Sequence, residues 1–351
     1  APTEIGMRPV TSDMTSTEGA ISPVPLHLAP MAGVSDLAFR LLARECGADV
    51  TITEFTAAAA LTREDAYSWM KLETDPREVP FIPQIFGSDV DEMAHCTRLL
   101  QERADLIDLN FGCPAPKVTR HCAGAALMGE PDLLLAMVRG CLAESEVPVT
   151  VKMRLGTGAS VNNVVALAQE LEAVGVARLC VHGRTLKQRY AGSADWETIR
   201  MVVEAVSIPV VANGDVVCAE SARACLEATG AAGLMIGRGA IGRPHVFHEI
   251  KRDLGWADVQ APWEEGIPAG ADAHERSRSV RAWCWRRYVE LDDEVHPEQG
   301  SKNRKRHAFS FTKGLRGGKA LRGSLHSLRD PAELGQAVER FLAGESDAIH
   351  A

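Results

Sequence analysis

From about Leu26 to Ile250, short and nearly unbroken apolar runs alternate with stretches in which apolar residues recur every three or four positions. The runs are Leu26–Met31, Val50–Thr53, Phe81–Phe86, Leu106–Asn110, Val149–Met153, Arg178–Val181, Val210–Asn213 and Gly233–Ile236. Unbroken apolarity over four to six residues suits strands buried on both faces, which belong to parallel sheets covered by helices. Helical spacing is plain in Val90–Arg103, Pro131–Ala143 and Val161–Val174, with Pro131 placed for a first helical turn. Gly47, Gly175 and Gly230 each follow a helical stretch, where a left-handed cap favours glycine. Eight β/α units in 225 residues predict an α/β TIM (β/α)8 barrel. A doubly wound sheet reads the same way along the chain and stands as the structural rival.

The pattern changes after the eighth unit. Residues 253–275 are acidic and carry Pro262, Pro268 and several glycines, as a linker would. Residues 276–345 show helical spacing and little β signal. The expected organisation is a loose leader over 1–25, a barrel over 26–252, the linker, and a small all-helical C-terminal domain over 276–345.

Composition narrows the class without naming a function. The chain has 351 residues, 46% hydrophobic and 24% charged, as in an ordinary globular protein. No apolar run approaches the ~18 residues of a membrane span, and the leader lacks a signal-like apolar stretch. Nine scattered cysteines without a C-x-x-C pair argue against a disulfide framework or structural zinc, and fit a reducing cytoplasm. Charge changes the picture more. The net charge is −9, yet Arg276–Arg329 holds 14 basic against 5 acidic residues, a net of +9, which leaves −18 for the remainder. From Ser301 to Arg329 there are nine basic residues and no acid. An acidic body with a basic tail piece points to a polyanion partner recruited by one region.

In a TIM barrel, chemistry sits at the C-terminal ends of the strands. In order these ends carry Ala29-Pro30-Met31-Ala32-Gly33, Thr53-Glu54, Gln84, Asn110-Phe111-Gly112-Cys113-Pro114, Lys152 with Arg154, His182-Gly183-Arg184, Asn213-Gly214-Asp215 and Gly237-Arg238-Gly239. Polar groups at the ends of apolar strands are costly unless paired, so their convergence on one mouth implies a polar ligand. The glycines of the last two ends let backbone N–H groups approach an anion, and loops seven and eight are this fold's usual phosphate position. Arg238 adds a charge there. Gly237–Gly242 also matches G-x-G-x-x-G, but it follows the last strand rather than opening a doubly wound domain, so a dinucleotide reading is rejected. Lys152, inside an apolar strand, needs an anionic or electron-rich partner. Cys113 stands between glycine and proline on a constrained turn, with Lys152 and Lys117 near it, a setting for a reactive thiol. His245-x-x-His248 lacks a third ligand at suitable spacing and reads as surface helix rather than metal site.

At this point the strand ends resemble those of the tRNA-dihydrouridine synthases, especially the bacterial-type branch. The matching segments are LAPMAGVSDLAFR (Leu28–Arg40), TEF (Thr53–Phe55), QIFGSD (Gln84–Asp89), NFGCPAPKV (Asn110–Val118), GAALM (Gly124–Met128), VKMRLG (Val151–Gly156), VHGRTLKQRYAGSADW (Val181–Trp196), NGDV (Asn213–Val216) and GLMIGRGAIGRP (Gly233–Pro244). They come in family order from about residue 26 to 250. The resemblance implies FMN in the barrel mouth, NADPH as co-substrate, and reduction of a uracil C5–C6 bond within tRNA. It places Pro30, Met31 and Ala32 along the flavin ring, Gln84 and Lys152 at its polar edge and His182 against it. Asn213, Gly214, Asp215, Gly237 and Arg238 fall at the phosphate end. Cys113 matches the family's general acid. Asn110 and Arg154 are expected to orient the base, with Arg184 also on the substrate side. A proton donor must be protonated, whereas an electropositive site lowers a thiol's pKa, so the two demands on Cys113 oppose each other.

The resemblance makes the helical domain the part that grips tRNA. The run Lys302-Asn303-Arg304-Lys305-Arg306-His307, followed by Lys313, Arg316, Lys319 and Arg322, is the expected phosphate-binding surface, with Lys305 and Arg306 singled out. The family often has an aromatic and acidic run after its VKMRLG segment, where this chain has Thr157-Gly158-Ala159-Ser160. Two rivals remain in view: an FMN barrel oxidoreductase acting on a free small pyrimidine, and a non-catalytic RNA-binding barrel. The protein is expected to act as a cytoplasmic monomer, without metal and off the membrane.

Overall fold

The computed structural model describes residues 22–158, 163–256, 261–297 and 302–345. Most of the expected leader, and Ala159 and Ser160 of the loop after the fifth apolar run, lie outside the described residues. Each of the eight apolar runs contains a strand. The strands are β1 (Leu26–Leu28), β2 (Val50–Thr51), β3 (Thr56–Ala57), β4 (Gln84–Phe86), β5 (Ile107–Phe111), β6 (Val149–Arg154), β7 (Arg178–His182), β8 (Val210–Asn213) and β9 (Gly233–Ile236). Every paired neighbour is parallel, in the order β2-β1-β9-β8-β7-β6-β5-β4-β3. The two ends of that order, β2 and β3, are one passage of chain, and Thr53 N donates across it to Ile82 O at 3.1 Å. The sheet therefore closes into an eight-unit α/β TIM barrel, and the doubly wound rival is excluded.

Two departures from the expected strands have local causes. The second run splits because the hydroxyls of Thr53 and Thr56 both donate to Glu54 O, offering the backbone an alternative to the ladder. The third strand starts at Gln84 rather than Phe81, since Pro83 has no N–H to give. The helices follow expectation closely. Pro131–Ala143 forms as read, and Val90–Leu100 ends before Arg103. The helix Val164–Val174 begins after Val161, which lies outside the described residues. Gly47, Gly175 and Gly230 adopt φ of +101°, +107° and +64°, the left-handed caps the pattern called for.

The helices Ala273–Val295, Lys302–Phe311, Gly318–Leu325 and Pro331–Ala343 make up the C-terminal part. Ala273–Val295 is capped by Asp272 and Glu275 in a reciprocal box and packs on the first barrel helix, Leu37–Glu45. Polar anchors fix the contact. Arg287 forks onto Glu45 at 2.8 and 2.8 Å, while Tyr288 Oη donates to Asp36 Oδ2 at 3.3 Å and His307 Nε2 lies 3.1 Å from the same oxygen. Within the segment read as a linker, Trp263 is buried against His245, His248 and Trp283. His245 is thus not on a helix surface as its sequence pattern was read. It is 3% exposed because Trp263 and Cys284 close over it. The glycines of Gly237–Gly242 serve close packing: a Cβ on Gly239 would stand 2.8 Å from Val216 O, and one on Gly242 only 2.4 Å from Ser310 O of the C-terminal helices. Among the described residues, no helix is long and apolar enough to cross a membrane, and no group of three His, Cys, Asp or Glu side chains is arranged to hold a metal.

Candidate active site

The strand ends meet around a cavity of about 770 Å³ at the barrel mouth. Of the residues singled out from sequence, Pro30, Met31, Ala32, Asn110, Cys113, Lys152, Arg154, His182, Asn213, Gly214, Asp215, Gly237 and Arg238 line it. Strand register explains the convergence: Asn110 lies beside Lys152, Arg154 beside His182, and His182 beside Asn213. Gln84 and Arg184 do not line the cavity. Gln84 is fully buried behind Asn110, and Arg184 is buried on Asp215. Lys305 and Arg306 lie on the helix Lys302–Phe311, outside the cavity lining.

Among the charged groups of the wall, basic ones dominate. Lys152 Nζ donates to Asn213 Oδ1 at 3.2 Å, and Asn213 Nδ2 is tied to Met235 O at 2.8 Å. Burial pulls the lysine below its ordinary pKa. Arg154 donates to Gly112 O at 2.8 Å, Thr185 O at 3.0 Å and Arg189 O at 2.8 Å. These acceptors are carbonyls, so its charge is not cancelled, and burial lowers its pKa to about 10. His182 is driven down to about 2 by burial and then by Lys152, Arg154, Arg184 and Arg238, so it is a neutral imidazole at any working pH.

Cys113 resolves the opposing demands set by its sequence context. Its thiol is 7% exposed, and burial raises its pKa more than the Ala115 N–H, Arg154, Lys152 and Lys117 lower it. The group is held as a protonated thiol next to cations, which is the state a proton donor needs.

At the other end, Gly214 has φ +125°, and a Cβ there would stand 2.8 Å from Ala194 Cβ and 3.2 Å from His182 Cδ2. Asp215, also in the left-handed region at φ +60°, accepts from Arg184 Nη2 at 2.9 and 2.7 Å, Ala194 N at 2.7 Å and Arg238 Nη2 at 3.1 Å. Its carboxylate is thereby spent inside the protein and fixes the loop. Sequence reasoning missed Tyr190. Its ring, half-exposed at the cavity rim, lies under Arg238 at 4.9 Å and Arg154 at 5.6 Å. The available signal was an aromatic inside the long β7 loop, since long loops in compact domains are commonly functional.

A cavity walled by Lys152, Arg154, Arg238 and neutral His182, whose one acid is already engaged, fits an electron-rich planar group carrying a phosphate. The model of the dihydrouridine synthase family matches residues 27–345, spanning both barrel and helices. The chain belongs to the dihydrouridine synthase family. It is 34% identical over 319 residues to tRNA-dihydrouridine synthase B of Yersinia pestis, covering 90% of this chain and 95% of that protein. The figures for tRNA-dihydrouridine synthase B of Escherichia coli (strain K12) are 34% over 317 residues, 90% and 95%. A probable tRNA-dihydrouridine synthase of Rhodobacter capsulatus is 41% identical over 241 residues, 68% of this chain and 74% of that one. Among solved structures, a 6-hydroxypseudooxynicotine amine oxidase from Pseudomonas geniculata aligns with 66% of this chain and 47% of its own, at 14% identity and a TM-score of 0.46.

Proposed function

We propose that this member of the dihydrouridine synthase family is a flavin-dependent oxidoreductase that reduces the C5–C6 bond of uridines in tRNA, with FMN in the barrel cavity and NADPH as reductant. One observation carries the chemistry: the buried Cys113 thiol, which burial holds above its ordinary pKa, lines a cavity that also carries Lys152, Arg154 and Arg238, just past a strand in register with the strand of Lys152. Pro30, Met31 and Ala32 would flank the flavin ring, Lys152 and His182 would meet its polar edge, and Gly214, Gly237 and Arg238 would hold its phosphate. Bound there, FMN in its reduced form would supply the hydride that C6 of the uracil requires. Cys113 Sγ–H would give its proton to C5 as general acid, and Arg154, which among the described residues has only carbonyl acceptors and no carboxylate partner, would steady the negative charge on the uracil carbonyl oxygens. The base must leave its stack to reach this mouth.

The helical region, which we place at 276–345, would carry the rest of the tRNA. Among the described residues, Lys305 and Arg306 donate only to carbonyls, so they keep a net charge for phosphate. Lys313, Arg316 and Lys319, further along the same basic stretch, are exposed. A free small pyrimidine is the weaker reading, because it gives the helical part nothing to do. The deciding experiment incubates bulk tRNA lacking dihydrouridine with the protein, FMN and NADPH, then maps dihydrouridine. Reduction at a defined uridine supports the proposal. NADPH oxidation without any reduced uridine would turn attention to free pyrimidines.

A further inference from the structure

Behind the Cys113 loop lies a line of buried polar groups that the proton transfer does not itself use. Thr150 Oγ1 donates to Asp108 Oδ1 at 2.5 Å, and Gln84 Nε2 donates to Asp108 Oδ2 at 2.6 Å. Asn110 Nδ2 donates to Gln84 Oε1 at 2.7 Å. Asn110 Oδ1 then accepts from Gly112 N at 3.0 Å and Cys113 N at 2.9 Å. Asp108, Gln84, Asn110 and Thr150 are all 5% exposed or less, so each bond is sheltered from water.

The polarity of this line is fixed from both ends. A carboxylate oxygen beside an amide draws the amide's NH2, so Gln84 must turn its oxygen to Asn110. Asn110 must then present its NH2 to Gln84 and its oxygen to the loop. At the far end two backbone N–H groups demand an oxygen as well. Two amides between an acceptor and a pair of donors satisfy every group, and reversing either amide puts donor against donor. A buried polar group left facing its like costs about 1–3 kcal/mol.

We propose that Asp108 is a positioning residue for catalysis: through the orientations it imposes on Gln84 and Asn110, it sets the turn that aims the Cys113 thiol. Asp108 does not line the cavity. The inference rests on the reading of Cys113 as proton donor, and the test keeps the two apart by following the thiol directly as well as turnover.

The test uses the flavin-loaded full chain. Asp108→Leu fills similar space but offers no acceptor, so Gln84 Nε2 is left as a buried donor without its partner and Gln84 no longer holds Asn110 against the N–H groups of Gly112 and Cys113. The expected result is a kcat lower by about 10²-fold, the cost of a roughly 1 Å misplacement, with tRNA affinity and flavin content unchanged. Alkylation of Cys113 by iodoacetamide, followed by mass spectrometry of its peptide, should quicken and shift to lower pH as the thiol loses burial. The double exchange Asp108→Asn with Gln84→Glu swaps amide and carboxylate at constant charge. The introduced amide donates to the introduced carboxylate, whose other oxygen accepts from Asn110, so the downstream polarity returns. Turnover and the alkylation profile should recover toward the parent.

Parent behaviour of Asp108→Leu in both readouts overturns the proposal. So does a double exchange no better than Asp108→Leu, or one that does not fold. If Asp108→Leu does not fold, a folded double exchange with the parent alkylation profile still supports the relay. A shifted alkylation profile with unchanged kcat supports the relay and removes Cys113 from the proton transfer.

Discussion

The guanidinium of Arg306 lies against the bare Cα of Gly33: its Nη1 is 1.3 Å from where a Cβ would stand, and it donates to the neighbouring Ala32 O at 3.0 Å. A helix of the C-terminal part thus reaches the first loop of the barrel mouth with a cation that has a carbonyl for its bond and no acid to cancel it. The same helix treats its other basic residues differently. Arg304 is 5% exposed and bound to Asp292 at 2.7 Å and to Asp293, and His307 is fully buried on Asp36.

Replacing Lys305 and Arg306 together by alanine should therefore weaken tRNA binding and reduce the slope of log K against log salt by about 2, one per lost phosphate contact. Reduction of the flavin by NADPH should stay within twofold, because the first loop is also held by Glu54 Oε1 on Gly33 N at 2.6 Å and Ser35 Oγ on Met31 N at 2.8 Å. Arg304→Ala should leave the salt slope alone. It should lower stability by about 3 kcal/mol, since the buried Asp292 loses its arginine and keeps only the His296 ring at 3.2 Å, and urea denaturation reads that difference.

Cys113 gives a pH prediction. Burial holds its thiol above the ordinary value of about 8.5, so the acid form persists through neutrality and is lost only on the alkaline side. Under single-turnover conditions the rate of uridine reduction should be flat near neutrality and fall with one proton at a pH above that value. Cys113→Ala should lower the rate by about 10² to 10⁴-fold and remove the alkaline limb, with flavin and tRNA still bound. An alanine variant that keeps the parent rate would show that another group gives the proton.

The barrel was legible because its strands are buried on both faces, which writes them as unbroken apolar runs, and because its chemistry sits where those runs end. The partners of the polar groups were not legible, since closure of the barrel brings them from distant positions. Arg184 meets Asp215, 31 residues on, and is turned away from the cavity it was expected to serve. Gln84 is claimed by Asp108 and Asn110 of the neighbouring strand β5 and sits behind the wall rather than in it. The acid-free stretch from Ser301 to Arg329 suggested uniformly available charge, yet Asp292 and Asp293 neutralise Arg304, and His307 is buried on the barrel's own Asp36. Spacing along a chain reports which face a residue occupies and is silent on which distant group shares it.

Three histidines are buried as neutral rings. Burial and nearby arginine charge take His27 to about 3, His245 to about 3 and His182 to about 2. Their folded pKa values lie below the unfolded value of about 6.5, so below that pH the unfolded chain takes up protons that the folded chain refuses, and stability falls with acidity. At pH 5 each costs about 2 kcal/mol. Denaturation between pH 7 and 4.5 should show this loss, and His27→Gln should reduce its slope by about 1.4 kcal/mol per pH unit, one proton's worth. His296 acts in the opposite sense. Asp292 raises its pKa, so its contribution is full below pH ~6.5 and fades as the pH rises through the raised value. A slope unchanged by the His27 substitution would mean that this ring is charged in the folded state.

Two glycines of the cavity wall, at the end proposed to hold the phosphate, separate packing from ligand approach. Gly214 needs its conformation: at φ +125° a side chain is strained, and the added Cβ would press on Ala194 and His182. Gly214→Ala should lose about 2 kcal/mol or more of stability and purify with little flavin. Gly237 has φ −105°, and its Cβ would meet Ala29 Cβ at 3.5 Å and Met31 Sδ at 3.8 Å, ordinary contacts that the fold tolerates. Gly237 also lines the cavity, so the same methyl group would stand where a phosphate must come close to the backbone N–H groups of this turn. Gly237→Ala should therefore keep the parent melting temperature without FMN while its FMN affinity drops by at least tenfold, measured by fluorescence quenching on the apoprotein. If Gly237→Ala binds FMN as tightly as the parent, the phosphate does not rest on this turn, and of the glycines after β9 only the close packing of Gly239 on Val216 and of Gly242 on Ser310 is left to explain.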